Sequence, residues 1–169
     1  RAIAVGLPFP QIGVFAFGAL VVDIEIDEVS GKVEVRRAWS ALDVGRAINP
    51  LAVEGQIEGA FVQGMGLALS EEMVWDGARL ANPSLMDYKV PTTLDSPYEI
   101  HSIIVEAAEP DGPFGAKGAG EIGINTVPAA IANAIATMTG RRLRDLPLTP
   151  ERVLGATLLK AAEGRRDAS

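Results

Sequence analysis

The chain has 169 residues, and its 15 lysines and arginines against 22 aspartates and glutamates give a formal net charge of −7. This length suits one domain with a real core, and the acidic balance argues against a nucleic-acid partner, whose phosphates require clustered basic residues. The chain has no cysteine and one histidine, which excludes thiolate metal sites and iron–sulfur clusters held by these residues and argues against a Ser-His-Asp triad.

The first predicted elements form a β-hairpin. Apolar and acidic residues alternate near the end of Gly13–Asp27, which is the period-two pattern of a half-buried strand. Ser30 and Gly31 indicate a turn, and apolar residues alternate again in Lys32–Val44. Acids of the first strand and bases of the second are placed to pair across the solvated face, namely Asp23, Glu25 and Asp27 with Lys32, Arg36 and Arg37.

A glycine-rich helix is predicted next, over Leu51–Glu71. Apolar residues recur there at helical spacing, yet the segment contains Gly55, Gly59, Gly64 and Gly66. Each glycine costs about 1 kcal/mol relative to alanine inside a helix, so another factor must favour these residues. The pattern predicts the close approach of another backbone or of a ligand. Tight helix packing through Gly55 and Gly59 explains it equally well.

The second half of the chain mixes short extended segments with helices. The expected elements are a short hairpin at 72–80, a strand at Tyr98–Glu106, a loop at Pro110–Gly120, a helix at Glu121–Thr139 that ends at Gly140, and a last helix beginning at Thr149 and Pro150. The polar residues Glu163–Ser169 are expected to fray. The sequence thus predicts one α+β domain over residues 1–169, with an antiparallel hairpin sheet packed against two or three helices.

The loop that leads into the second of these helices, Gly115–Glu121, is the most distinctive local motif. Its glycines expose backbone N–H groups, and a helix N-terminus favours an anion. The spacing matches neither a Walker phosphate loop nor a dinucleotide-binding fingerprint. Glu121 begins the helix, where the helix dipole alone would stabilise its carboxylate. Alternatively, a dry, glycine-lined pocket would equip the same carboxylate as a general base.

Four motifs in order resemble one enzyme family. They are Asp43–Gly45 followed by Ile48–Pro50, the helical segment Gly55–Gly66, the loop Lys117–Glu121, and Leu146–Leu154. Together they resemble the C-terminal portion of the molybdenum-cofactor-binding large subunit of the xanthine dehydrogenase/aldehyde oxidase family. The resemblance spans most of the chain.

The resemblance implies that the chain is part of a molybdenum hydroxylase, which oxidises an aldehyde or an N-heterocycle with oxygen derived from water. Glu121 matches the family's glutamate that acts as general base on the Mo–OH group. Gln56 matches a glutamine beside the molybdenum–pterin cofactor, and Gly118, Ala119 and Gly120 match backbone of the cofactor pocket. No residue of this chain is implied as a metal ligand, and Lys117 is assigned no catalytic role.

The resemblance also implies partners. The family's molybdenum subunit is several times longer than this chain, so further cofactor contacts and the substrate-selecting side chains come from other segments. Iron–sulfur and FAD centres are expected only on partner chains or domains. We expect Glu121 to be buried in the assembly, and the isolated chain to be inactive. Its uncovered apolar docking surface should favour self-association.

Two other functions stay open at this stage. A module of this fold could serve as a non-catalytic structural or assembly subunit, and a stand-alone module could bind an anion through its glycine loop. No segment reaches the roughly 18–20 unbroken apolar residues of a membrane span, and Arg1–Gly6 lacks the layout of a secretory signal. A cytoplasmic location is expected, with a periplasmic one as the alternative.

Overall fold

The computed structural model describes residues 14–166, with side chains described as far as Leu158. In chain order, its strands and α-helices are β1 (Gly18–Ile26), β2 (Val33–Asp43), α1 (Pro50–Leu69), β3 (Trp75–Asp76), β4 (Arg79–Leu80), β5 (Glu99–Val105), α2 (Ile122–Thr139) and α3 (Pro150–Arg166). The predicted strand start at Gly13, the segment Arg1–Gly6 and residues 167–169 of the predicted tail lie outside the described residues.

The larger sheet has the strand order β1-β2-β5 and combines both kinds of pairing. β1 and β2 form the predicted antiparallel hairpin, in which Gly18 lies opposite Leu42. β5 pairs with β2 in parallel, and Arg37 lies opposite Glu99. Parallel strands need a long crossover, which α1 and the hairpin β3–β4 provide. The α+β class and the hairpin are confirmed, and the parallel strand is an addition that the sequence analysis did not predict.

Two of the predicted charge pairs form across the hairpin. Arg36 Nε donates to Glu25 Oε2 at 2.8 Å, and Arg37 Nη2 donates to Asp23 Oδ2 at 2.8 Å. The third acid, Asp27, instead accepts from two backbone N–H groups of the turn, which lowers its pKa. Both pairs are substantially exposed, so each contributes about 0–1 kcal/mol to folding.

The core lies between the larger sheet and the helices α1 and α2. Its largest contributors from the two helices are buried Phe61 and Met65 on α1, and Val127, Ile131 and Ile135 on α2. Burying a side chain of this size contributes about 1.5–3 kcal/mol. Leu148 and Val153, before and within α3, extend the same cluster. The helices therefore cover one face of the sheet and hold the strand ends in fixed positions.

The opposite face of the larger sheet carries exposed side chains. Val21, Trp39 and His101 lie side by side across the three strands. The Trp39 and His101 rings stack, with centroids 5.4 Å apart and planes 11° apart. Val21 is 63% exposed and Ile103 is 46% exposed. Among the described residues, no helix covers this face.

The glycines of α1 divide into two groups. A Cβ atom on Gly64 would lie 2.6 Å from the Cβ atom of Val127 on α2, and one on Gly123 of α2 would lie 2.8 Å from a Cβ atom of α1. At Gly55 and Gly59 a Cβ atom would meet nothing within 4 Å outside the helix's own backbone. The predicted close approach of another backbone is confirmed at Gly64, where a Cβ atom would also lie 3.1 Å from Ile124 O of α2. The helix packing considered for Gly55 and Gly59 is absent from the part of the chain that is described.

The helix α2 is long and apolar enough to cross a membrane by length and composition alone. Its buried residues are Gly123, Val127, Ile131, Ile135 and Thr139, and the helix packs against α1 and β1. A core helix meets the same length and composition requirement. We therefore interpret α2 as a core helix whose N-terminus is held beside α1.

Candidate functional site

The glycine loop lies against the segment that follows β2. Lys117 N donates to Val44 O at 2.8 Å, and Arg46 N donates to Gly115 O at 2.8 Å. Gly45 has a φ of +60°, a conformation that favours glycine. A Cβ atom at Gly45 would overlap the carbonyl oxygen of Gly115. The turn after β2 and the glycine loop, far apart in sequence, therefore form one tightly packed unit.

A buried ion pair also joins the end of β2 to the glycine loop. Lys117 Nζ lies 2.6 Å from Asp43 Oδ2, and the two side chains are only 7% and 6% exposed. Asp43 Oδ1 also accepts from Gly45 N at 3.0 Å and from Ala107 N at 3.3 Å. The hydrogen bond from Lys117, aided by these two N–H groups, lowers the pKa of Asp43. This pair could not be predicted from the sequence, because its two members are 74 residues apart.

Gln56 and Gly120 lie close together. The start of α1 is fixed by Asn49, whose Oδ1 accepts from Ala52 N at 3.1 Å, and Gln56 follows in the second turn. A Cβ atom at Gly120 would lie 3.8 Å from Gln56 Oε1. Gln56 is exposed, so its amide has room to bind a ligand. The structure thus brings together two of the residues that the sequence analysis placed beside a cofactor.

The glycine loop presents an open face between Lys117 and α2. A Cβ atom at Gly118 would meet nothing within 4 Å, and Gly118 and Gly120 are both exposed. Ala119 between them is partly buried against the small cluster of Leu42, Val44 and Ile57. The loop is therefore anchored on one side through Ala119 and leaves the backbone of its two glycines accessible from the other.

Glu121 is the N-cap residue of α2, but its side chain makes no capping hydrogen bond. Its backbone is helical, with φ −96° and ψ −17°, and its carboxylate is exposed. The helix dipole can therefore still stabilise the carboxylate, but no capping hydrogen bond adds to that effect. The dry pocket that we predicted around Glu121 is not formed by this chain alone, since no described residue buries the carboxylate.

The rest of the described chain offers no competing metal site. Among residues 14–158, whose side chains are described, no group of three or more His, Asp or Glu side chains could hold a metal ion. A cavity of about 390 Å³ lies at the other end of α1, and Met65 and Leu69 are among its lining residues. None of the predicted site residues lines this cavity. The candidate site is therefore the surface formed by Gln56, the open glycines and Glu121.

The chain is similar in sequence to several known proteins. Residues 5–97 match the molybdopterin cofactor-binding domain family. The chain is 43% identical over 140 residues to the xanthine dehydrogenase molybdenum-binding subunit of Escherichia coli O157:H7, covering 82% of this chain and 18% of that protein. It is 43% identical over 143 residues to the 6-hydroxypseudooxynicotine dehydrogenase complex subunit gamma of Paenarthrobacter nicotinovorans, covering 82% and 18% respectively.

Solved structures agree with the sequence comparisons. The fold superimposes on quinoline 2-oxidoreductase from Pseudomonas putida 86 with a TM-score of 0.78 and 35% identity, covering 85% of this chain and 19% of that one. The chain thus spans about a fifth of the length of the proteins it matches. On the family match, the identity and the shared fold, the chain belongs to the molybdopterin cofactor-binding domain family of xanthine dehydrogenase and aldehyde oxidoreductase large subunits.

Proposed function

We propose that this chain forms one wall of the cofactor site in a molybdenum hydroxylase of the xanthine dehydrogenase/aldehyde oxidoreductase type, with Glu121 as the general base. The observation that carries the proposal is the position of Glu121. It has an uncapped, exposed carboxylate at a helix start, and the residue before it, Gly120, faces Gln56. A carboxylate that is not engaged in a capping hydrogen bond, beside an accessible backbone, is suited to act on a ligand from outside the chain.

The residues present fit a molybdenum–pterin cofactor. The open backbone at Gly118 and Gly120 leaves space that a Cβ atom would narrow, and pterins present many hydrogen-bonding edges to such a backbone. The amide of Gln56 offers both a donor and an acceptor at the same surface. When bound, the cofactor supplies the two-electron redox chemistry, which no side chain here can perform.

In this proposal each group of the chain has a separate task. The carboxylate oxygens of Glu121 take up a proton during the oxidation of an aldehyde or an N-heterocycle. The Gln56 amide and the N–H groups of Gly118, Ala119 and Gly120 orient the cofactor. The substrate itself is selected by segments outside this chain, since the described residues form no enclosed pocket around Glu121.

We further propose that the remainder of the molybdenum subunit covers the exposed sheet face around Val21 and Ile103, and completes the pocket around Glu121. Exposed apolar side chains on this face support the proposal, because uncovered apolar patches mark docking surfaces. Iron–sulfur and flavin groups would lie on further domains or subunits. One relative is by its name a subunit of a dehydrogenase complex. We propose a cytoplasmic location for the assembly, with a periplasmic one as the alternative.

The isolated chain is expected to be inactive. It lacks the segments that would enclose the cofactor and bind the substrate. The measurement is oxidation of a panel of aldehydes and N-heterocycles by the purified chain with an artificial electron acceptor. Turnover by this chain alone would contradict the proposal that it is only one wall of the site.

Substitution of Gly118 by alanine tests the cofactor surface. Within this chain the added methyl group meets nothing within 4 Å, so the folding stability of the chain itself should not change. A cofactor packed on this backbone would be displaced, and crowding costs of about 1–3 kcal/mol correspond to a loss of affinity of about 5-fold to 150-fold. We therefore expect a lower molybdenum and pterin content per enzyme.

Gly155→Ala provides the matched control. Gly155 lies in α3, and a Cβ atom there also meets nothing within 4 Å. This variant should keep a normal cofactor content. Equal cofactor content in the Gly118 and Gly155 variants would remove the glycine loop from the proposed cofactor surface.

A further inference from the structure

We propose that the buried Asp43–Lys117 ion pair is a positioning device, which fixes the short segment that carries Glu121. This inference rests on the proposed function, in which Glu121 is the general base. Neither Asp43 nor Lys117 is proposed to touch the cofactor or the substrate.

One carboxylate joins three parts of the chain. Asp43 ends β2, and its two oxygens accept from Gly45 N in the following turn, from Ala107 N at the start of the loop after β5, and from Lys117 Nζ at the end of that loop. The turn after β2 leads directly to α1, which carries Gln56. Asp43 therefore connects the sheet both to the turn that leads to Gln56 and to the loop that leads to Glu121.

The segment between Lys117 and Glu121 needs such an anchor. It consists of Gly118, Ala119 and Gly120, and glycine has the greatest backbone freedom of all residues. A Cβ atom at Gly118 would meet nothing within 4 Å, so no side chain packs against this position from that side. The carboxylate of Glu121 also has no capping hydrogen bond of its own. Besides Ala119, which packs against the cluster of Leu42, Val44 and Ile57, the two ends of this segment set the position of Glu121, namely α2 on one side and Lys117 on the other.

The burial of the pair supports a positioning role. Two apolar side chains in this place would stabilise the fold about as well. The free energy lost when the two charges are removed from water offsets much of the free energy gained from their attraction. A buried ion pair differs from an apolar contact because it favours one relative position of its two side chains. If either side chain moves away, the charge of the other is left buried and unpaired. Asp43 and Lys117 are 6% and 7% exposed, so water cannot replace the lost partner without opening the loop.

Lys117→Met in the assembled enzyme tests the inference. We expect hydrogen exchange of the peptides containing the amides of Arg46 and Lys117 to accelerate on the order of 100-fold, because the Asp43 carboxylate is left buried and unpaired. Peptides from the core of α2, around Ile131, should exchange as in the wild type. The kcat should fall more than KM rises, because the proton acceptor and not the substrate contact is displaced.

The double variant Asp43→Asn/Lys117→Met separates a positioning role from a direct one. An asparagine at 43 retains an oxygen for the N–H groups of Gly45 and Ala107 and removes the unpaired charge. We expect it to restore most of the exchange protection and part of the kcat that Lys117→Met loses. A lysine that acted directly on the cofactor or substrate would leave kcat equally low in both variants, and that result would overturn the inference.

Arg36→Met is the matched control, because Arg36 belongs to an exposed ion pair on the hairpin. It should change neither loop exchange nor turnover. Unaltered exchange in Lys117→Met would also contradict the inference, whatever the role of Glu121. Conversely, a Glu121 variant that retains turnover would refute the proposed base and leave the exchange result for the loop intact.

Discussion

Glu121→Gln is expected to lower the turnover of the assembled enzyme by about 10²–10⁴-fold, which is the usual contribution of a positioned general base. Glutamine has the same size and shape but cannot take up a proton. The carboxylate of Glu121 makes no capping hydrogen bond and is exposed in this chain. The substitution should therefore leave folding, assembly and cofactor content unchanged, and steady-state kinetics should show a fall in kcat.

Glu28→Gln is a suitable control for this experiment, because Glu28 is an exposed glutamate in the turn between β1 and β2. It should retain wild-type turnover. The molybdenum content of both variants must be measured, so that a loss of cofactor is not mistaken for a loss of the base. Full turnover in the Glu121 variant with normal cofactor content would leave this chain with a structural role only.

The local elements of this fold could be predicted from the sequence because each has a local cause. The hairpin follows from period-two alternation and a turn at Ser30 and Gly31, and α2 ends at Gly140, whose φ is +73°. The parallel pairing of β5 with β2 could not be predicted in this way. It depends on a crossover of more than fifty residues, and nothing in the pattern of β5 itself specifies its neighbour.

Some residues of the candidate site could likewise be predicted from the sequence, and others could not. Gln56, Gly120 and Glu121 were predicted from motifs, and the structure brings Gln56 beside Gly120. The Asp43–Lys117 pair was not predicted, although both residues belong to those motifs. A lysine in a glycine loop suggests a ligand contact. Only the folded chain shows that Lys117 instead forms an ion pair with Asp43, which lies on another element.

Gly45→Ala is expected to have the largest effect on the local stability of the site. Gly45 has a φ of +60°, which costs an alanine about 1–2 kcal/mol. In addition, the new Cβ atom would overlap Gly115 O and lie 2.9 Å from Lys117 N. Both neighbours are backbone atoms, so the loop itself must move, at a further cost of about 1–3 kcal/mol. The displaced loop is the one that leads to Glu121.

Gly77→Ala isolates the two contributions, because Gly77 has the same φ of +60° but a Cβ atom there meets nothing within 4 Å. Hydrogen exchange should show local destabilisation of about 1–2 kcal/mol around residue 77, from backbone strain alone. Around residue 45 the loss should be larger by the cost of moving the loop, and turnover should fall only in the Gly45 variant. Equal losses of local stability in the two variants, with turnover retained, would show that the contact between Gly45 and Gly115 does not hold the site together. Glycine at position 45 would then be required only for the positive φ of its turn.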